Sequence, residues 1–193
     1  EQTYGKFMTG PLADYVKRVG AKVAANTERK DVTYRFNVID TPMVNAFALP
    51  GGYVYVSRGL LALANSEAEL AAVLGHEVGH VTARHAAERM SQGFLVGLGA
   101  AAVGVAAGGG AVGDAVNLGS NLYIKSYSRG QEHQSDELGV RYLSRAGYDP
   151  KSMASFLKSL DAQSKLEQKE AGQSGGFNYF STHPLTTERV AQA

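Results

Sequence analysis

Cysteine is absent from this chain, and its absence excludes two kinds of site at once. No disulfide can form and no thiolate can bind a metal, so any bound metal ion must be held by imidazole and carboxylate groups. An excess of basic charge is also missing, because 19 Lys and Arg residues face 18 Asp and Glu residues, for a net charge of +1. Proteins that bind nucleic acids need such an excess to neutralise phosphates, so we expect no nucleic-acid partner.

Long hydrophobic runs are scarce as well. The chain starts with EQTYGKF and shows no basic start followed by an apolar run, so we expect a mature form from which a signal peptide has been removed. One uncharged segment, residues 90–112, has the length needed to cross a bilayer, but glycine and alanine dominate it. The chain has the length of one domain, and we predict a single domain over residues 1–193.

Hydrophobic periodicity divides the chain into helices and a few strands. Apolar residues recur at three- and four-residue spacing in residues 11–29, which indicates an amphipathic helix, while residues 31–40 alternate as a half-buried strand does. A Pro-Gly-Gly turn then separates an extended segment from a strand at 53–57, and we expect a small antiparallel sheet. Further helices are predicted at 66–90, 114–127, 131–147 and 151–170, and after Pro184. The fold class is therefore α+β and mostly helical.

Three histidines and a glutamate lie within GHEVGHVTARH, residues 75–85. On a helix, His76 and His80 lie one turn apart and about 40° apart around the axis, so both rings can reach one ion. Glu77 lies beside them, close enough to take a proton from a water molecule. This spacing is typical of zinc metallopeptidases, in which two imidazoles bind the metal and a carboxylate acts as general base. The alternative is a solvated pair of histidines, which the apolar residues around them disfavour.

A catalytic zinc ion needs a third protein ligand and an open position for water. Glu132 is the best candidate, because it lies four residues from Asp136 on a predicted helix face. Asp136 can then accept a hydrogen bond from the free ring nitrogen of a ligating histidine and so determine its tautomer. The same helix carries Arg129 and Arg141, which can compensate buried negative charge.

The two remaining histidines near these motifs are predicted to point elsewhere. On a continuous helix His85 is rotated by about 140° from His80, and His133 by about 100° from Glu132. We expect His85 to be a surface or packing residue rather than a ligand, and His133 to lie at the surface.

Taken together, the motifs resemble those of the gluzincin family of zinc metallopeptidases that includes the CAAX prenyl protease, HtpX and BepA. The resemblance rests on HEVGH at 76–80 with ARH at 83–85, on SRGQEHQSD at 128–136, on STHP at 181–184, and on NAFALPGGYVYVSRGLL before the first motif. It covers about residues 10–190. It implies a zincin-like fold in which the active-site helix carries HExxH and the sheet presents an edge strand to the substrate.

The resemblance also assigns roles to individual residues. It implies one Zn²⁺ per chain with His76, His80 and Glu132 as ligands, and Asp136 as the partner of a ligating histidine. Glu77 is implied as the general base. These roles agree with the helical spacing described above.

A second group of residues is implied around the metal. His183 matches a histidine near the ion, where it stabilises the oxyanion or occupies the water position in a resting state; alternatively, it only opens a helix ahead of Pro184. Further candidates for the oxyanion are Tyr127, Arg129, Tyr179 and Arg189. An extended peptide is expected to add its backbone to an edge strand formed by Asn45, Ala46, Phe47 and Ala48.

The segment at residues 90–112 bears on the relation to a membrane. A single crossing there would place His76 and His80 on one side of the bilayer and Glu132 on the other, yet all three must lie within about 2.2 Å of one ion. We therefore predict that the chain does not span a membrane and resembles the soluble, BepA-like branch of the family, although association with a membrane surface stays open. This branch implies a location in the periplasm or cell envelope.

The function expected from these residues is a zinc-dependent endopeptidase that cleaves misfolded or envelope proteins, bound in extended conformation, by means of a metal-activated water. A second hypothesis is a peptide-binding quality-control module with a latent, self-inhibited metal site. In that case His183 fills the open position and the loop AGQSGGFNY covers the cleft. A purely structural zinc fits poorly, because such a site has no use for Glu77.

Overall fold

The computed structural model describes residues 6–92, 126–171, 179–184 and 188–189. Within them lie strands β1 (Arg35–Ile39), β2 (Ala46–Leu49) and β3 (Tyr53–Ser57) and helices α1 (Pro11–Ala24), α2 (Arg58–Leu63), α3 (Glu67–Thr82), α4 (Arg129–Arg145), α5 (Ser152–Ala171) and α6 (Tyr179–Thr182). A separate helical segment occupies residues 85–92. The predicted α+β, mostly helical fold class is confirmed.

Several predicted segments fall outside the described residues. These are nearly all of the predicted helix at 114–127, most of the uncharged segment at 90–112 and nearly all of the loop at 171–179. Of the helix predicted after Pro184, only residues 188–189 are described, and they are helical. In the part of the chain that the structure describes, no helix combines the length and the apolar character needed to cross a bilayer.

The three strands form a mixed sheet in the order β1-β3-β2. β2 pairs antiparallel with β3 through the predicted turn, where Gly51 and Gly52 adopt φ values of 87° and 88° that other residues rarely adopt. β1, however, runs parallel to β3, so the prediction of a wholly antiparallel sheet was wrong. The reason is that the chain leaves β1 and passes to the far edge before β2 begins, so β3 returns between the two strands in the direction of β1. β2 consequently lies at one edge of this sheet.

Helix α3 lies at the centre of the fold. Ser66 caps its start by accepting a hydrogen bond from the Glu69 backbone N–H over 3.2 Å, and every residue from Glu69 to His80 is buried. A helix that is buried on all sides is expected to be apolar throughout, whereas this one contains His76, Glu77 and His80. Burial of such groups costs free energy unless they are paired or bind an ion, so their presence here points to a function.

Glycines allow α4 to approach α3 closely. A Cβ built on Gly79 would lie 2.8 Å from both the carbonyl oxygen and the Oγ of Ser135, whereas one on Gly75 would lie 3.3 Å from its nearest neighbour, the Gly139 carbonyl oxygen. Ser135 completes this contact by donating a hydrogen bond from its hydroxyl to the His76 carbonyl oxygen over 2.5 Å. The close approach is what brings the side chains of α4 to the histidines of α3.

Gly79→Ala is expected to lower the free energy of unfolding by about 1–3 kcal/mol, because α4 must move away from α3 to admit the methyl group. The gain in helix propensity from Gly to Ala, about 1 kcal/mol, offsets part of this loss. Gly75→Ala is the matched control, since its added methyl meets a looser contact and the same propensity gain applies. Urea denaturation of the two variants measures the difference, and equal stability of both would contradict the close-packing argument.

Candidate active site

The structure brings together three of the predicted site residues. The Nε2 atoms of His76 and His80 are 3.0 Å apart, since α3 presents both rings on one face. Glu132, from the first turn of α4, places Oε2 3.5 Å from His76 Nε2 and Oε1 3.3 Å from His80 Nε2. All three side chains are buried. Two helices separated by about 50 residues of sequence therefore direct two imidazoles and a carboxylate at one point.

His183 joins this cluster from the segment that follows α6. Its Nδ1 lies 3.0 Å from Glu132 Oε1 and 3.2 Å from His76 Nε2, and its side chain is fully buried. The ring of Tyr179 stacks on the His183 ring at a centroid distance of 4.4 Å and an interplanar angle of 15°. The alternative that His183 only opens a helix ahead of Pro184 is therefore wrong, because its ring lies among the candidate ligands.

These four residues fit a tetrahedral metal ion. Ligand atoms at about 2.1 Å from a tetrahedral ion are separated from one another by about 3.4 Å. The measured separations of 3.0, 3.2, 3.3 and 3.5 Å are close to this value, and one ligand atom from each of His76, His80, Glu132 and His183 lies within 4.8 Å of the others. Imidazole nitrogens and a carboxylate oxygen are ligands that zinc accepts.

Glu77 lies beside the cluster with both carboxylate oxygens buried and without a hydrogen-bond partner. The ring of His183 lies near it, with Nε2 3.6 Å from Glu77 Oε1. Burial raises the pKa of Glu77. A carboxylate kept in this condition destabilises the fold, which is typical of a group retained for chemistry rather than for packing.

Asp136 accepts a hydrogen bond from the ring of His76, as predicted for the partner of a ligating histidine. Its Oδ1 lies 2.7 Å from His76 Nδ1, so His76 turns Nε2 toward the cluster. Burial alone would raise the pKa of Asp136, but its hydrogen bonds and charge interactions with Arg189 and His76 together outweigh burial and lower that pKa to about 2. The carboxylate is therefore ionised at neutral pH.

Arg189 supplies a positive charge to two of the buried carboxylates, those of Asp136 and Glu132. Its Nε and Nη2 lie 2.6 and 2.8 Å from the two oxygens of Asp136, and its Nη1 lies 2.5 Å from Glu132 Oε2. The prediction that Arg129 and Arg141 compensate the buried negative charge was wrong. Arg129 is exposed, and Arg141 faces Glu28 at 4.0 Å on the outer side of α4.

His85 is buried against His80, so the expectation of a helix-surface position was wrong, whereas the alternative of a packing residue agrees with the structure. The prediction assumed one continuous helix to about residue 90, but α3 ends at Thr82 and Arg84 adopts a φ of 61° before helix resumes at His85. This break turns the ring back, so that His85 Nδ1 lies 2.9 Å from His80 Nδ1. No glycine or proline marks the break in the sequence.

Burial lowers the pKa of His80 well below its usual value and also lowers the pKa of His85. Both rings are therefore neutral at pH 7, as a ligating imidazole must be. His133 lies apart from the cluster, half-buried, with Nε2 3.9 Å from Glu188 Oε2.

The structure places each of the predicted oxyanion candidates. Tyr127 stacks on His80 at a centroid distance of 3.9 Å, and Tyr179 stacks on His183. Arg189 holds Asp136 and Glu132, and Arg129 is exposed. His183 is the candidate whose buried Nε2 has no hydrogen-bond partner and lies near Glu77.

The predicted substrate strand corresponds to β2 and the residue before it. The Ser57 backbone N–H donates a hydrogen bond to the Asn45 carbonyl oxygen over 2.9 Å. Because alternate residues of an antiparallel pair face the partner strand, Asn45 and Phe47 turn their main-chain groups to β3, whereas Ala46 and Ala48 turn theirs to the outer edge. The outer edge is the side on which an added strand would bind.

Another segment of the chain, α6, occupies part of this outer edge. The Tyr179 backbone N–H donates a hydrogen bond to the Val44 carbonyl oxygen over 3.0 Å, so α6 lies against the edge just before β2. Ala46 and Ala48 are 0% and 5% exposed. The start of the edge is therefore covered by α6, and Ala46 and Ala48 are buried.

The HExxH helix, the glutamate from a second helix and the small sheet with its edge strand are the features of zincin-like metallopeptidases of the gluzincin type. The sequence profile described as Peptidase family M48 matches residues 12–193. The chain belongs to peptidase family M48, whose members are metal-dependent.

Individual relatives agree with this assignment. The chain is similar to the beta-barrel assembly-enhancing protease of Yersinia pestis, with 30% identity over 94% of this chain and 38% of that protein. It is similar to the mitochondrial metalloendopeptidase OMA1 of Arabidopsis thaliana, with 36% identity over 88% of this chain and 33% of that protein. It is also similar to the metalloprotease LoiP of Escherichia coli, with 34% identity over 92% of this chain and 69% of that protein. The chain spans less than half the length of the first two.

Proposed function

We propose that this chain is a zinc-dependent endopeptidase that hydrolyses proteins of the cell envelope, and that residues 1–193 form its single catalytic domain. The observation that carries the proposal is the meeting of His76, His80 and Glu132 from two helices, with the unpartnered carboxylate of Glu77 beside them. Similarity to a beta-barrel assembly-enhancing protease supports a place in the periplasm or envelope. A bound zinc ion, one per chain, would polarise the scissile carbonyl and make water more acidic.

The chain's own residues perform the remaining steps. Glu77 takes the proton of the attacking water at a carboxylate oxygen and passes it to the leaving amine, so the reaction needs no covalent intermediate on the enzyme. Asp136, through its hydrogen bond, keeps the proton of His76 on Nδ1 and leaves Nε2 free to act as a ligand. His183, held in place by the Tyr179 ring, would stabilise the developing oxyanion with its proton on Nε2 and its Nδ1 no longer donating to Glu132.

The substrate is proposed to be an extended segment of protein that adds to the outer edge of β2. The outward main-chain groups of Ala46 and Ala48 would form the hydrogen bonds of an added strand. Asn45 supports this placement, because its buried Oδ1 has no hydrogen-bond partner at the start of the strand. Such binding is independent of sequence along the main chain, which suits a protease that acts on misfolded proteins.

A second candidate function is a peptide-binding quality-control module with a latent metal site. Two observations favour it. His183 Nδ1 lies 3.0 Å from Glu132 Oε1 and 3.2 Å from His76 Nε2, which are separations expected between two ligands of one ion. The Tyr179 backbone N–H is hydrogen-bonded to Val44 at the edge of the sheet. In this state the chain closes both the fourth metal position and part of the peptide-binding edge. In the active function residues 179–183 would leave the site, and in the latent function they would stay in it.

Casein digestion by the purified chain distinguishes the two functions. We expect cleavage that is lost on treatment with a chelator and restored by one equivalent of zinc. His183→Ala is expected to reduce the rate if His183 assists the oxyanion, and to raise it if His183 keeps the site closed. Cleavage that a chelator leaves unchanged would reject the metallopeptidase, and absence of cleavage by the intact chain combined with cleavage by His183→Ala would establish latency.

A further inference from the structure

A chain of hydrogen bonds leads away from His80 on the side opposite the cluster. His80 Nδ1 lies 2.9 Å from His85 Nδ1, and His85 Nε2 lies 3.0 Å from the side-chain carbonyl oxygen of Gln134 on α4. The two histidine rings are 5.0 Å apart and nearly perpendicular, at 70°, and both are buried. The positive φ of Arg84 is what places His85 in this position.

The direction of each hydrogen bond follows from the chemistry of the groups. The Gln134 carbonyl oxygen only accepts, so His85 must carry its proton on Nε2. A neutral His85 then has a lone pair on Nδ1, which accepts a hydrogen bond from Nδ1–H of His80. With its proton on Nδ1, His80 has its lone pair on Nε2, and this atom faces His76 and Glu132.

The two candidate histidine ligands therefore have acceptors of different kinds. His76 donates its Nδ1–H to a carboxylate, whereas His80 donates to a neutral histidine that is itself oriented by an amide. A carboxylate behind each histidine would add another negative charge to those of Glu132 and Asp136, which already share one guanidinium, that of Arg189. A neutral acceptor sets the tautomer without adding that charge.

We infer that His85 and Gln134 are positioning residues that hold His80 in the tautomer with Nε2 free for a metal ion. The inference rests on the proposed function, since it concerns the same metal site. His85 then contributes to metal binding although its ring is not a ligand. The helix break at Arg84 contributes as well, because it brings the His85 ring to His80.

A purely structural role for His85 predicts a different outcome for two substitutions. His85→Asn places a side-chain oxygen where His85 Nδ1 lies and so retains the acceptor. His85→Leu retains apolar bulk but offers no acceptor. If His85 only fills space, His85→Leu should retain more zinc affinity than His85→Asn. If His85 sets the tautomer of His80, His85→Asn should retain more.

Zinc affinity, measured by competition with a chromophoric chelator, tests the inference on the purified chain. We expect His85→Leu to bind zinc about 10- to 100-fold more weakly than the wild type, which is the usual effect of removing the partner of a ligating histidine. His85→Asn is expected to recover most of this affinity. Gln134→Met, at an exposed position, is expected to weaken binding in the same direction by a smaller factor. Wild-type affinity in His85→Leu, or equal losses in both His85 variants, would overturn the inference.

Nitrogen-15 NMR of the metal-free chain provides a test that does not depend on zinc. We expect the proton of His80 to be on Nδ1 and that of His85 to be on Nε2. A proton on His80 Nε2 would overturn the inference while leaving the proposed function standing. Failure of the wild-type chain to bind zinc at all would instead reject the proposed function. Thermal unfolding of the metal-free variants shows that each is folded, and Gln134→Met retains the test if His85→Leu does not fold.

Discussion

Glu77→Gln is expected to abolish peptide hydrolysis and leave metal binding intact. The amide has the shape of the carboxylate but cannot accept a proton, and loss of a general base lowers kcat/KM by about 10²- to 10⁴-fold. Glu77 is not among the four residues that converge on the metal position, so zinc content should stay at that of the wild type. The metal-free variant should also be at least as stable as the wild type, because an unpartnered buried carboxylate is replaced by a neutral group.

Glu69→Gln is the matched control for this variant. Glu69 lies on the same helix and is also buried, but its carboxylate accepts hydrogen bonds from the Asn65 backbone over 2.8 Å and from the Ser155 hydroxyl over 2.5 Å. An amide nitrogen in place of one oxygen breaks one of these bonds, at a cost of about 1–3 kcal/mol in unfolding free energy. We expect Glu69→Gln to lose stability and retain activity, which is the reverse of Glu77→Gln. Steady-state kinetics and urea denaturation measure both quantities, and full activity of Glu77→Gln would reject its role as base.

Arg189→Met is expected to give the largest loss of stability among the substitutions considered. The side chain is 1% exposed and forms ion pairs with both Asp136 and Glu132, so its removal leaves two buried carboxylates without their guanidinium partner. Breaking a buried ion pair by removing one partner costs about 3–5 kcal/mol. The free energy of unfolding should be measured by urea denaturation of the metal-free chain, because bound zinc would supply part of the missing charge.

Arg145→Met serves as the control for Arg189→Met. Arg145 forms an ion pair with Glu28 at 2.7 Å, but both side chains are 48% exposed. Exposed ion pairs contribute about 0–1 kcal/mol, so we expect a small change. A loss in Arg189→Met no larger than that in Arg145→Met would contradict the proposal that Arg189 compensates the buried carboxylates.

Local elements of the fold were predictable because their signals lie within a few residues of each other. The amphipathic spacing of α1, the start of α3 and the turn between β2 and β3 all appear where the sequence places them. The pairing of β1 was not predictable in this way. Its partner β3 lies beyond β2 in sequence, and whether the two strands run parallel depends on the path of residues 40–45, for which no local pattern exists.

The break after α3 could not be predicted from local sequence patterns either. Ala83 and Arg84 have no special tendency to end a helix, yet Arg84 adopts a left-handed φ of 61° there. Hydrogen bonds of His85 to His80 and Gln134 compensate this strain, and they exist only once α4 has packed against α3. The position of His85 is thus a consequence of tertiary packing.

By itself, the sequence determined the spacing of the chemical groups within each helix. The turn of an α-helix places His76 beside His80 and Glu132 beside Asp136 wherever those helices lie, and the absence of cysteine restricts the possible ligands to imidazole and carboxylate. Only the tertiary structure decided which groups meet. His183 reaches His76 across 107 residues and Arg189 reaches Asp136 across 53. The close approach of α4 to α3 at Gly79 brings Glu132 and Asp136 to His76 and His80. Contacts of that range depend on the fold as a whole, because no local periodicity encodes them.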